Sequence, residues 1–158
     1  MSAITPCLWF DDQGEEAASF YVSLFPDSRI TDLTRWTADA NPERAGQVLT
    51  VELVLDGRPY TFLNGGPDFT LDEAFSLQVA CADQAEVDRY WEAFTADGGE
   101  ESQCGWCKDR FGVSWQVVPD ALPRLLADPD PARAARAMQA MFGMRKLDVA
   151  ALEAAAAG

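Results

Sequence analysis

Gln47-Val48-Leu49-Thr50-Val51-Glu52-Leu53-Val54-Leu55-Asp56-Gly57-Arg58-Pro59-Tyr60-Thr61-Phe62-Leu63 is the stretch that decides the fold. Leu49, Val51, Leu53 and Leu55 fall on one side of an extended chain, and Val48, Thr50, Glu52 and Val54 on the other. That is the period of two expected of a strand with one buried face. Asp56-Gly57 is a hairpin turn signal, and Arg58 to Leu63 reads as the returning strand.

Upstream, Ile4 to Phe10 is a short apolar run that ends at Asp11-Asp12, a buried strand. Gly14 to Phe25 carries Ala17, Ala18, Tyr21, Leu24 and Phe25 at helical spacing and turns over at Pro26-Asp27. Ser28 to Trp36 alternates weakly, as an edge strand does, and Ala38 to Gly46 is a loop. Asn64-Gly65-Gly66-Pro67 then breaks the chain.

The same order follows again. Phe75 to Cys81 is a strand and Gln84 to Phe94 a helix, with Asp83 as its N-cap and Val87, Tyr90, Trp91 and Phe94 on the buried stripe. Gly98-Gly99 ends that helix. Glu100 to Lys108 holds one or two short strands, Asp109-Arg110-Phe111-Gly112 is a turn, and Val113 to Val118 is the last strand. Asp12-Gln13 and Glu15 match Asp83-Gln84 and Glu86, and each helix presents adjacent aromatics, Phe20-Tyr21 and Tyr90-Trp91. The fold class is therefore α+β: two βαβββ repeats, 3–66 and 74–119, forming curved mixed sheets around an inner cavity within a single domain. A helical tail, 120–158, follows. In it Ala134, Met138, Met141 and Phe142 recur at helical spacing, a stripe for packing on the tail's own core or on a partner subunit.

Composition narrows the function. Twenty-six acids against 12 bases give a formal charge of −14, which argues against nucleic acid and against anionic membrane surfaces. No apolar run is long enough to span a bilayer. The N-terminal Met1-Ser2-Ala3-Ile4-Thr5-Pro6 lacks a basic region followed by an apolar one, so the cytoplasm is the expected compartment. There is no histidine, which removes the commonest metal ligand and the commonest general base together.

Cys7, Cys81, Cys104 and Cys107 read as thiols. Cys104-Gly105-Trp106-Cys107 matches the spacing of a redox pair, but a turn and a strand follow it, where disulfide oxidoreductases place a helix start that lowers the first thiol's pKa. Methyl transfer normally uses a glycine-rich turn leading from a strand into a helix, and Gly65-Gly66 is followed by Pro67.

Ile4-Thr5-Pro6-Cys7-Leu8-Trp9-Phe10-Asp11, Glu15-Glu16-Ala17-Ala18 and Phe20-Tyr21 resemble the opening of the PhnB-like branch of the glyoxalase/bleomycin-resistance (vicinal-oxygen-chelate) superfamily. Leu55-Asp56-Gly57-Arg58-Pro59, Leu63-Asn64-Gly65-Gly66-Pro67, Cys104-Gly105-Trp106, Lys108-Asp109-Arg110-Phe111-Gly112-Val113-Ser114-Trp115-Gln116 and Gly143-Met144-Arg145-Lys146-Leu147-Asp148 extend the likeness over nearly the whole chain. Members are often labelled demethylubiquinone-methyltransferase-like. The resemblance implies the paired βαβββ fold, usually as a homodimer. Metal-using members of the superfamily take one His, Gln or Glu ligand from the first and last strand of each repeat. Carried over by strand position, those places are Thr5 (Pro6 if the register slips by one), Thr61, Ser76 and Gln116. Thr and Ser hydroxyls are weak neutral ligands and Gln supplies one neutral oxygen, so the expectation is no metal and no cofactor.

Alternation sets the expected ligand-binding face as Cys7, Trp9, Thr50, Glu52, Thr61, Ser76, Gln78, Ser114 and Gln116. Such a face suits a small, partly planar organic ligand, in the manner of drug-sequestering members of the superfamily. The alternative is a metal-independent enzyme working through Glu52, Cys7 or Cys104. Glu52 on an inward face could act as a general base, although such a residue more often sits at a solvated mouth or pairs with an Arg.

Overall fold

A computed structural model describes residues 4–158. Residue 3, where the first repeat is expected to begin, lies outside them. The chain divides into two compact units between Leu71 and Asp72.

The first unit runs β1 (Cys7–Phe10), α1 (Gly14–Leu24), β2 (Arg29–Arg35), β3 (Val48–Leu55) and β4 (Arg58–Asn64). Its sheet has the order β1-β4-β3-β2, with β1 parallel to β4 and the other pairs antiparallel. Asp56 and Gly57 both have positive φ, 47° and 73°, the geometry of a tight turn that twists with its strands. Leu8, Phe10, Val51, Leu53 and Phe62 are buried on the face that α1 covers through Ala17, Ala18 and Tyr21. Tyr21 meets Phe62 edge-on at 5.8 Å, and the two alanines let the helix lie close. Val48, expected on the opposite side from that core, is buried as well, at the irregular end of the β2–β3 pairing. The first strand is shorter than expected. Pro6 already pairs with the sheet through its carbonyl, which accepts from Thr61 N at 3.0 Å, and Ile4 is exposed.

The second unit repeats the plan with β5 (Leu77–Cys81), α2 (Gln84–Thr95), β6 (Glu100–Glu101), β7 (Trp106–Lys108) and β8 (Ser114–Pro119). The order β5-β8-β7-β6, with β5 parallel to β8, matches the first sheet. Val79, Cys81, Cys107, Trp115 and Val117 are buried toward α2, where Phe94 stacks on Trp115 at 4.3 Å. The repeats differ at their helix starts. Asp83 Oδ1 caps α2 by accepting from Glu86 N at 2.9 Å. Gln13 caps nothing, and the first N–H of α1 goes instead to Asn64 Oδ1 at 2.7 Å, from fifty residues along the chain.

The tail forms α3 (Ala121–Leu126), α4 (Pro131–Phe142) and α5 (Val149–Ala157) around a buried cluster of Leu122, Leu147 and Leu152. Within the chain the expected α4 stripe is only partly engaged. Met138 and Phe142 point outward, 41% and 57% exposed, and the buried contact runs through Ala137, with Ala140 and Met141 against the leucine cluster. Closely packed helices favour small side chains at the contact, so alanine displaces the larger residues from that face.

Candidate functional site

In each unit the strand face turned away from its α helix carries the polar residues. In the first sheet the register sets Cys7 beside Thr61, Thr61 beside Glu52 and Glu52 beside Asp32. The next row is Trp9, Leu63, Thr50 and Thr34. Thr61 Oγ1 donates to Glu52 Oε2 at 2.8 Å, and the Thr34 and Thr50 hydroxyls share a bond of 2.5 Å. Glu52 is partly buried, and its recorded hydrogen bond is to Thr61, in place of the arginine considered from sequence. Cys7 is exposed, but burial of its sulfur and then the Glu52 charge push its thiol above the ordinary value. That opposes the thiolate a nucleophile needs.

Trp9 is held firmly. Its indole N–H donates to the Gly66 carbonyl at 2.8 Å, its ring lies where a Cβ on Gly65 would stand, and Phe69 meets it edge-on at 5.0 Å. The Asn64-Gly65-Gly66 break therefore has three jobs. Asn64 ties α1 and the Val48 carbonyl to the end of β4, Gly65 leaves room for the indole, and Gly66 accepts its proton.

In the second sheet Gln78 lies beside Gln116 and Gln116 beside Trp106, with Ser114 beside Lys108 in the adjacent row. Gln116 Nε2 donates to Ser76 Oγ at 2.9 Å. Ser114 is buried and donates to the Asp72 carbonyl at 3.4 Å, and Lys108 pairs with Glu73. A small pocket of about 110 Å³ opens beside Trp106, Lys108 and Ser114. A wider, open depression along the start of α1 is lined by Asp12, Gln13, Glu15, Glu16 and Ser19.

Asp109 explains the turn that precedes β8. It is buried, accepts from Phe111 N and Val113 N on Oδ1, and takes the Trp115 indole N–H on Oδ2 at 2.7 Å. The Cys104–Cys107 segment has a structural task too. Cys104 has positive φ, and the Cys104 and Gly105 N–H groups donate to the carbonyls of Met144 and Arg145 at 2.8 and 2.7 Å. Cys107 is buried and its thiol is pushed up to about 12, by burial first and then by Asp109 and Glu101.

The metal positions of the superfamily can be tested on their donors. Thr61 is bonded to Glu52, Gln116 to Ser76, and Thr5 lies ahead of β1. Among the described residues no group of three or more His, Cys, Asp or Glu side chains could hold a metal ion. Neutral hydroxyl and amide oxygens, with no carboxylate or imidazole among them, do not suit a divalent cation.

Sequence alternation placed Cys7, Trp9, Thr50, Glu52 and Thr61 on one face of the first sheet, and the register brings them into two adjacent rows. Ser76, Gln78, Ser114 and Gln116 gather likewise on the second. Asp32, Thr34, Phe69 and Trp106 were missed. Trp106 was findable, since it alternates with Cys107 along β7; Phe69 sits in an irregular loop with no periodic signal.

No helix among the described residues is long and apolar enough to cross a membrane. No match was found among curated proteins. The solved PhnB protein from Bacillus cereus is similar, with 30% identity, a TM-score of 0.67, and coverage of 75% of this chain and 99% of that one. A protein from Pseudomonas aeruginosa shares the fold at 22% identity and a TM-score of 0.60, covering 75% of this chain and 98% of its own. The fosfomycin resistance protein FosX from Listeria monocytogenes does so at 13% identity and a TM-score of 0.51, with 74% and 91% covered. The model of the 3-demethylubiquinone-9 3-methyltransferase family matches residues 2–118, ending before α3. With that match and these neighbours, the chain belongs to this PhnB-like family of the glyoxalase/bleomycin-resistance superfamily.

Proposed function

We propose that this protein binds a small organic molecule without a metal, against the polar sheet faces of its repeats, and works as a homodimer in the cytoplasm. One observation supports the reading above others: the residues at the superfamily's metal positions are neutral, and three of them are bonded, Thr61 to Glu52 and Gln116 to Ser76. Indoles and unspent amides flank them, and that combination suits shape and hydrogen-bond recognition of a planar ligand. Methyl transfer is not part of the reading. The turns from β1 into α1 and from β5 into α2, Asp11-Asp12-Gln13 and Ala82-Asp83, contain no glycine-rich loop to cradle a methyl donor. Sequestration of a toxic or aromatic compound is the role such a site would serve.

The test is a thermal-shift screen of planar aromatic compounds on chelator-treated protein, with elemental analysis of the protein as purified. Concentration-dependent stabilisation that survives chelation is the expected result. One stoichiometric zinc, nickel, iron or manganese per chain, or no stabilisation by any compound, would overturn the reading.

A further inference from the structure

We propose that the row Gln78, Gln116 and Trp106 on the second sheet receives an uncharged planar ring with a hydrogen-bond donor next to an acceptor, a lactam or cyclic imide; this rests on the binding reading above and names its ligand class. The three residues are direct cross-strand neighbours, so their side chains stand side by side about 4.8 Å apart on one face. A primary amide offers one carbonyl acceptor and two N–H donors. Gln116 uses one N–H on Ser76 Oγ, which leaves its carbonyl and second N–H unspent. Neither the Gln78 amide nor the Trp106 indole N–H has a partner among the described residues, and neither is sealed from water.

The row carries no charge. In the row beside it, Lys108 is taken by Glu73. An anion laid on the row would face the carboxylates Glu73, Glu100 and Glu101 that line the adjoining pocket, whereas a neutral polar ring exchanges water for matched bonds. Ring closure matters because a lactam is held cis, so its N–H and C=O point the same way and can meet both free groups of a single glutamine amide. The site is bounded as well. Val118, two residues beyond Gln116 on the same face, packs against the tail's leucine cluster, and the pocket of about 110 Å³ beside Trp106 has room for one small substituent.

Isoquinolin-1-one is the probe, with its N-methyl derivative, benzoate and benzylamine as controls, followed by NMR on the indole and side-chain amide resonances. Saturable shifts of Trp106 and Gln116 are expected with the lactam, and about tenfold weaker binding for the N-methyl compound. Gln78→Ala and Gln116→Ala should each weaken the lactam about tenfold. Gln78 is exposed, so its variant keeps the test valid should Gln116→Ala fail to fold. Equal binding of the N-methyl compound or either ion, or indifference to both variants, would overturn the lactam assignment alone. Absence of binding by these probes and by every compound of the aromatic screen would overturn it together with the binding reading.

Discussion

The side chain of Gln84 joins two backbone groups of the tail, donating from Nε2 to the Leu147 carbonyl at 3.1 Å and accepting Val149 N on Oε1 at 2.8 Å. Lys146 adds an ion pair to Asp88 on the same helix, at 2.6 Å. The segment just before α5 is thus fastened to the first turn of α2, although the family's own pattern stops at residue 118. Gln84→Ala leaves a backbone N–H and C=O without their partners, and a loss of about 1–3 kcal/mol is expected in urea unfolding. An unchanged midpoint would show that water replaces the clasp.

Leu147 is fully buried and is also the residue that a side chain on Gly105 would strike. Leu147→Ala should cost roughly 2–5 kcal/mol, through lost burial and the cavity left behind. For a chain of this size that lowers Tm by about 5–15 °C. Gly105→Ala should also destabilise, since its φ is +84° and the new Cβ would lie 2.8 Å from the Val117 carbonyl. Calorimetry on both variants checks this, and a Tm within a degree of the parent for either would refute the packing described.

Asp109→Asn tests the buried carboxylate under Trp115. The substituted amide can still accept on one side, but on the other it would set its own N–H against the indole N–H that Oδ2 now accepts at 2.7 Å. A loss of about 1–3 kcal/mol is expected, with a shift of the Trp115 indole resonance. Parent-like stability with that resonance in place would contradict it.

Gly65→Ala should move Trp9. The added Cβ would stand 2.2 Å from the indole, so the ring must leave Gly66 and Phe69. Overpacking of this kind costs roughly 1–3 kcal/mol. Loss of the Trp9 indole hydrogen bond, seen as faster exchange of that N–H, is the readout, and unchanged exchange would show the neighbourhood to be more accommodating.

Cys7 supplies a pH prediction. Its thiol is raised by burial and by the Glu52 carboxylate, so the reactive thiolate forms only above the usual cysteine range. Removing the negative charge favours the anion. Alkylation of Cys7 by iodoacetamide, followed by peptide mapping, should therefore show its pH–rate curve move to lower pH in Glu52→Gln. A curve that stays put or moves upward would rule out the coupling.

Local chemistry made much of the fold readable. Period-two alternation from Val48 to Leu55, the Asp56-Gly57 turn and the Asp83 cap depend on neighbours a few residues away, so the repeat, its strands and the polar face of each sheet were all legible in the chain. The contact that α4 makes within the chain was less legible, because hydrophobicity ranks Met138 and Phe142 above Ala137, whereas close helix packing selects the small residue.

What the amino-acid order determined by itself is the set of elements and which side chains share a strand face, because both follow from backbone geometry over one or two turns. The tertiary structure alone decided that Asn64 caps α1, that Phe69 braces Trp9, that Glu52 binds Thr61 and that Gln84 holds the tail. Apart from the Thr61–Glu52 pair across one hairpin, these contacts join residues roughly fifty to sixty positions apart, and no periodic pattern encodes them. They exist only once packed sheets and helices have brought their partners within bonding distance.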